Sequence, residues 1–210
     1  SLDIESEILG EAANILIDLV ELKKEPLMAM NQKWIIMKII SFNINSIRAR
    51  PHQVEALVEK HKPDAIGLQE TKVHDDDFPF EIPNSLGYKA HIHGQKGHYG
   101  VALLTKDDPI SVTKGFDTDD DEMQKRFIAV TIKKGQKKIH ILNGYFPQGE
   151  ERDHPVKFPY KVRFYKDLKN HIEKNYNSND HLIVMGDLNI SPQDIDLSLI
   201  HISEPTRLTS

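Results

Sequence analysis

Asn43, Glu70, Tyr145, Asp187 and Asn189 are the residues of this 210-residue sequence whose types and settings could do chemistry. They stand in four short segments: SFNIN (Ser41 to Asn45), GLQETK (Gly67 to Lys72), NGYFPQG (Asn143 to Gly149) and GDLNISP (Gly186 to Pro192). Each segment closes an apolar run that reads as a strand, so a short polar side chain is held at a rigid carboxyl end and not on a mobile loop. Two carboxylates, two carboxamides and a phenol are hard oxygen donors, which suit Mg²⁺ or Mn²⁺ and do not suit a structural zinc. Phosphate chemistry is the natural use of such a set: a divalent ion neutralises a phosphoryl oxygen, a carboxylate orients a water, and amide and phenol donors hold the other oxygens. Each residue alone also fits a plainer role. Asn43 could end a strand, Glu70 could partner a loop, and Asp187 with Asn189 could form an Asx turn.

The elements that must position these residues follow from the apolar spacing. Strands are predicted over Lys38 to Asn45, Ala65 to Gln69, Tyr88 to His93, Val101 to Thr105, Phe127 to Lys133, Lys138 to Gly144 and Leu182 to Met185. Helices are predicted around Val54, Leu57 and Val58, and from about Lys161 to Tyr176. Many short strands with a few helices indicate a layered α/β or α+β sandwich. Ahead of them, Ile4, Ile8, Leu9, Ala12, Ile15, Leu16 and Leu19 recur at helical spacing, with Pro26 as a stop. Residues 1–36 therefore read as an amphipathic helical extension.

Composition sets further bounds. The sequence has no cysteine, which removes disulfides, thiolate metal sites and cysteine nucleophiles together. Its net charge of -5 leaves any nucleic-acid contact to local groups and not to bulk attraction. The apolar stretch Ile15 to Val20 is interrupted by Asp18 and too short for a membrane span or an export signal, so a cytoplasmic protein is expected. His91 and His93 point one way on a strand and read as a half-exposed face, while Asp75 to Asp77 and Asp117 to Glu122 read as solvated loops.

Taken in order, the motifs resemble exodeoxyribonuclease III and its apurinic/apyrimidinic (AP) endonuclease relatives, within the endonuclease/exonuclease/phosphatase superfamily. The resemblance runs through MKIISFNINSIRARPHQVEALVEKHKPDAIGLQETKVHDDDFP, HGQKGHYGVALLTK, the NGYFPQGEERDHPVKF stretch and IVMGDLNISPQDID, roughly three quarters of the chain. It implies a four-layer α/β/β/α sandwich over residues 37–196, with the site at one end of two packed sheets. It also implies that Glu70 binds the metal directly, with Asn43 in the same coordination network. Asp187 would hold or activate the attacking water and belong to the metal site, Asn189 would orient that water, help to stabilise the transition state and share the metal site, and the Tyr145 phenol would contact the scissile phosphate. The implied activity is a Mg²⁺-dependent (or Mn²⁺-dependent) DNA-repair nuclease, acting on duplex DNA at abasic sites and at 3′ ends, as a monomer. Arg48, Lys72 and Lys96, in motif loops or family-like segments, are expected to face the DNA backbone.

The sequence also departs from that pattern. A further aspartate paired with a histidine and a late Ser-Asp-His segment belong to the family site, and neither is found here. The segment LSLIHISEPTR (Leu197 to Arg207) resembles one reading frame of a transposase adapter, so residues 197–210 are read as an adapter-derived tail and the sandwich as incomplete at its C-terminus. Without those groups this chain is expected to be inactive; the alternatives are an inositol-phosphate or sphingomyelin phosphodiesterase on the same scaffold, and an inert fragment with residual DNA binding.

Overall fold

The computed structural model describes residues 37–148 and 154–189. The expected N-terminal helix in residues 1–36 and the tail at 197–210 lie outside these. Along the described chain run β1 (Ile39–Asn43), α1 (Pro51–His61), β2 (Ala65–Gln69), a 3-10 turn (Asp75–Asp77), α2 (Glu81–Ser85), β3 (Lys89–His93) and β4 (Val101–Thr105). They are followed by β5 (Pro109–Lys114), β6 (Phe127–Lys134), β7 (Lys137–Tyr145), α3 (Lys157–Asn175) and β8 (His181–Asp187). One sheet has the order β1-β2-β4-β3 and the other β5-β6-β7-β8.

Side chains alternate between the two faces of a strand, and here both faces are apolar, which fixes a layered packing. In the first sheet Ile40, Phe42, Ile66, Leu68, Ala102 and Leu104 point outward to Ile44, Ile47 and Val54 of α1 and its approach. In the second, Phe127, Ala129, Leu142 and Val184 point outward to Phe164, Tyr165, Leu168 and Ile172 of α3. The opposite parity, Ile39, Ala65, Val101, Leu103, Ile128, Val130, Ile132, Ile139, Ile141, Ile183 and Met185, fills the space between the sheets. Three cores separate four layers in the order α/β/β/α, as the resemblance implied.

Two connections are parallel and each uses a helix as its crossover. β1 pairs with β2 through α1, in register from Ile39 with Ala65 to Asn43 with Gln69. β7 pairs with β8 through α3, from Ile139 with His181 to Tyr145 with Asp187. Parallel pairs bring their carboxyl ends to one edge, the place where open sheets collect ligands. β1 and β8 lie against one another across the seam between the sheets, so the two carboxyl edges meet.

The expected strands are all present, with no end shifted by more than two residues and Ala65–Gln69 and Val101–Thr105 matching at both ends. Three elements were not anticipated. β5 is an exposed edge strand, its residues Ile110 to Lys114 open to solvent, and so lacks an apolar period. The 3-10 turn is capped by the His74 ring, which accepts from the Asp76 amide. The short α2 carries Pro83 in its first turn, where the missing N–H costs nothing. α3 begins at Lys157, four residues before the expected start, and Pro159 is tolerated in its first turn for the same reason.

Candidate active site

Strand parity aims the candidate residues. Asn43 shares the face of Ile39, Asp187 that of Ile183 and Met185, and Tyr145 that of Ile139 and Ile141; all three continue the intersheet core to its open end. There Asn43 Nδ2 donates to Glu70 Oε1 at 2.9 Å and to Asp187 Oδ2 at 3.0 Å. One amide group thus joins carboxylates from the two sheets, 144 residues apart in sequence for Asn43 and Asp187. The Tyr145 hydroxyl donates to Glu70 as well.

Glu70 follows β2 directly, in left-handed backbone (φ 54°), as does Lys72 (φ 55°). Such conformations are costly for residues with a Cβ and persist where surroundings over-determine them. The determinants are backbone bonds on both sides: Ser46 and Ile47 donate to the Glu70 and Thr71 carbonyls, and Thr71 and Lys72 donate to those of Gly100 and Tyr99. Behind the carboxylates lies a buried amide pair, Gln69 at 1% and Asn143 at 0% exposure. Gln69 Nε2 donates to Asn143 Oδ1 at 2.6 Å, and Asn143 Nδ2 to the Leu68 and Ala102 carbonyls at 3.0 Å each. Fully paired amides between two apolar sheets fix the relative position of the strands that carry Glu70 and Tyr145.

Burial pushes the Glu70 carboxyl up, but hydrogen bonds from Asn43, Lys72 and Tyr145 and the Lys72 charge more than reverse this, and Glu70 lies below the usual carboxylate range. For Tyr145, burial first and then the hydrogen bond to and charge of Glu70 push the phenol far up. It is therefore a proton donor at neutral pH. The donor set fits a hard divalent cation: two carboxylates and an amide converge on one point, with no imidazole among them and no cysteine in the sequence.

Asn189 stands beside Asp187 in left-handed backbone (φ 49°), and its N–H reaches Asp187 Oδ1 at 3.3 Å. Its amide nitrogen is turned back to the Phe146 carbonyl at 2.7 Å, which leaves its Oδ1 for the site. The basic residues part company. Lys72 bonds Glu70 Oε2 at 2.9 Å and Asn45 Oδ1 at 2.6 Å, so its charge serves the carboxylate first. Arg48 is turned to the Asp77 carbonyl at 2.6 Å and carboxylate at 3.8 Å, away from the carboxylate cluster. Lys96 is exposed in the loop between β3 and β4.

Two residues escaped the sequence reading. Arg126, only 8% exposed, lays its guanidinium 4.2 Å from the Tyr99 ring centre and 4.6 Å from that of Tyr145. Its Nη1 also donates to the Tyr145 carbonyl at 2.9 Å. Lys161, on α3, spans the loops after β7 and β8. The only signal for Arg126 was a cation immediately before an apolar strand, and for Lys161 a cation on the apolar face of a helix.

Comparison with known proteins bears on the family and the fold. The model of the Endonuclease/Exonuclease/phosphatase family matches residues 40–205. The chain is 53% identical over 163 residues to exodeoxyribonuclease III of Haemophilus influenzae, covering 78% of this chain and 61% of that protein. A DNA-(apurinic or apyrimidinic site) endonuclease of Dictyostelium discoideum is 31% identical over 176 residues, 82% of this chain and 46% of its own. Among solved structures, an AP endonuclease from Archaeoglobus fulgidus superposes with a TM-score of 0.69 at 33% identity, over 78% of this chain and 61% of that one. A variant of the 3′ phosphatase NExo from Neisseria, bound to product DNA hairpin, gives 0.68 at 32%, over 77% and 61%. The chain thus spans about three fifths of the length of the Haemophilus relative. On the matched sequence, the two-sheet fold and the relatives together, this chain belongs to the endonuclease/exonuclease/phosphatase family.

Proposed function

We propose that this chain carries the phosphodiester-cleaving centre of a Mg²⁺-dependent DNA-repair nuclease of the exodeoxyribonuclease III type. Its substrates on this reading are duplex DNA at abasic sites and duplex 3′ ends, and it acts as a cytoplasmic monomer. Among the described residues no helix is long and apolar enough to cross a membrane. The observation that carries the reading is the Asn43 amide, which joins Glu70 and Asp187 across the sheet seam beneath the Tyr145 hydroxyl.

Glu70, with Asn43 beside it, holds Mg²⁺ or Mn²⁺; the bound ion supplies neutralisation of charge on a phosphoryl oxygen. Asp187 accepts a proton from the attacking water and aims it, and Asn189 orients that water through its Oδ1 and shares the metal site; as the water oxygen bonds to phosphorus, the bond from phosphorus to the leaving sugar oxygen breaks and that oxygen takes up a proton from solvent. Tyr145, kept protonated by burial and by Glu70, donates to a non-bridging phosphate oxygen, where negative charge grows in the transition state. Lys96, and Lys72 and Arg48 once drawn from their acidic partners, contact phosphates on either side of the cut. The test is cleavage of a duplex with one abasic site, and of a duplex with a labelled 3′ end, with Mg²⁺ and then with excess chelator, beside Glu70→Gln. Metal-dependent cutting lost in the variant is expected; cutting unaffected by chelator or by the substitution overturns the reading.

A further inference from the structure

Lys161 is a buried cation for which the reaction described above has no use. It lies in the second turn of α3 and is 9% exposed. Its ammonium donates to the carbonyl oxygen of Gln148 at 3.1 Å and to that of Asn189 at 3.0 Å. Those carbonyls sit in the loops that leave β7 after Tyr145 and β8 after Asp187. No carboxylate among the described residues pairs with the ammonium. A desolvated charge held only by neutral carbonyls is expensive, and apolar residues of similar shape commonly replace such charges with no loss of stability. Its stability contribution therefore gives no reason for a cation here.

The surrounding bonds supply one. The Phe146 amide donates to the Asp187 carbonyl at 2.9 Å, and Asn189 Nδ2 to the Phe146 carbonyl at 2.7 Å. One turn along α3, the Tyr165 hydroxyl donates to the Leu188 carbonyl at 3.1 Å. Together with the ammonium these bonds close a ring through both loops, and inside that ring Asn189 keeps its left-handed backbone, with its N–H on Asp187 Oδ1. The strained residue and the carboxylate it touches are thus held from the helix side by one charged group.

We propose that Lys161 is a positioning residue: its ammonium clasps the loop after Tyr145 to the loop after Asp187 and so fixes the direction of the Asp187 carboxylate. This rests on the nuclease reading above. Lys161 touches neither metal nor DNA in this role, and its effect is on turnover and not on binding. Replacing it should misdirect Asp187 by a fraction of an ångström, enough for a rate loss of about tenfold to a hundredfold.

The test compares Lys161→Met, which keeps the length and removes the charge, with Lys161→Arg, which keeps charge and donors. kcat and KM on the abasic duplex at saturating Mg²⁺, the Tm, and amide exchange in 146–148 and 188–189 are measured. The clasp predicts that Lys161→Met loses about ten- to a hundredfold in kcat, with KM within about threefold of the parent. Its Tm stays within a few degrees, exchange speeds up in the two segments alone, and Lys161→Arg recovers most of the rate. An unchanged kcat in Lys161→Met overturns the proposal, as does a loss matched by a fall in Tm that Lys161→Arg does not repair. If Lys161→Met melts below the assay temperature, Lys161→Gln replaces it under the same two outcomes. If the parent itself does not cleave, the nuclease reading fails; the clasp is then judged by exchange, and identical exchange in parent and variant overturns it.

Discussion

Glu70 concentrates the electrostatics of the site in one carboxylate, met by Asn43, Lys72 and Tyr145 on a left-handed backbone. Glu70→Gln keeps the size and removes the anion, so on the proposed reading a hard cation would lose its principal charge. Affinity for Mn²⁺, read by electron paramagnetic resonance, should fall by about tenfold or more, and cleavage should recover partly when the metal concentration is raised. Parent-like rates without added metal in that variant would count against Glu70 as the ligand. Arg126 is the second residue whose loss should be felt, because it holds Tyr145 by ring face and by carbonyl at once. Arg126→Met should lower stability by about 1–3 kcal/mol in denaturant unfolding and reduce turnover more than the stability loss explains. Motif position made Glu70, Asn43 and Asp187 legible in the sequence, since each ends an apolar run. Arg126 and Lys161 were not legible, because their roles arise from contacts with chain far away in sequence: Lys161 meets Asn189 28 residues on.

The elements explain why the carboxyl ends coincide. Two parallel pairs, β1 with β2 and β7 with β8, each turn back through a helix, and the sheet seam brings their ends together. The tightest point of that arrangement is Gly186, paired with Gly144 one residue before Asp187 and Tyr145. Its φ of 151° disfavours any residue with a Cβ, and a Cβ there would run into the Gly144 carbonyl, which is backbone and has nowhere to go. Gly186→Ala should therefore separate the ends of β7 and β8, at a cost of about 2–4 kcal/mol, and abolish the proposed cleavage even where the protein still folds. A variant that melts and cleaves like the parent would show that the strand ends yield more easily than this. Central strands such as Ala65–Gln69 and Val101–Thr105 could be read to the residue, because both faces are buried and the run is apolar throughout. The exposed β5 could not: its pairing with β6 is made by backbone bonds, and its side chains carry no record of it.

At the scale of the molecule, four layers bury three separate cores, and four histidines are packed into or beside them. Burial pushes the imidazoles of His91, His93, His140 and His171 down from their ordinary value. His171 is the plainest case: its ring lies among Phe116, Phe127 and Tyr176, and its buried Nε2 meets no hydrogen-bond partner among the described residues. A histidine whose folded pKa is depressed takes up its proton in the unfolded chain first, so stability is complete above the unfolded value, near 6.5, and falls as pH drops below it. The lowered carboxyls, Asp64, Glu70 and the exposed Asp117, act in the same direction but only in the acid range below about pH 4.5. The two groups of titrations are therefore separable. Melting followed by circular dichroism should show Tm constant from about pH 8 to about pH 7 and falling steadily toward about pH 5.5, well before any carboxylate responds. His171→Phe fills the same aromatic pocket without a titrating nitrogen, and it should flatten that decline while leaving Tm at about pH 8 close to the parent's. A parent Tm that does not move between about pH 7 and about pH 5.5, or a decline of equal slope in His171→Phe, would show that the buried imidazoles find protons or water that this packing denies them.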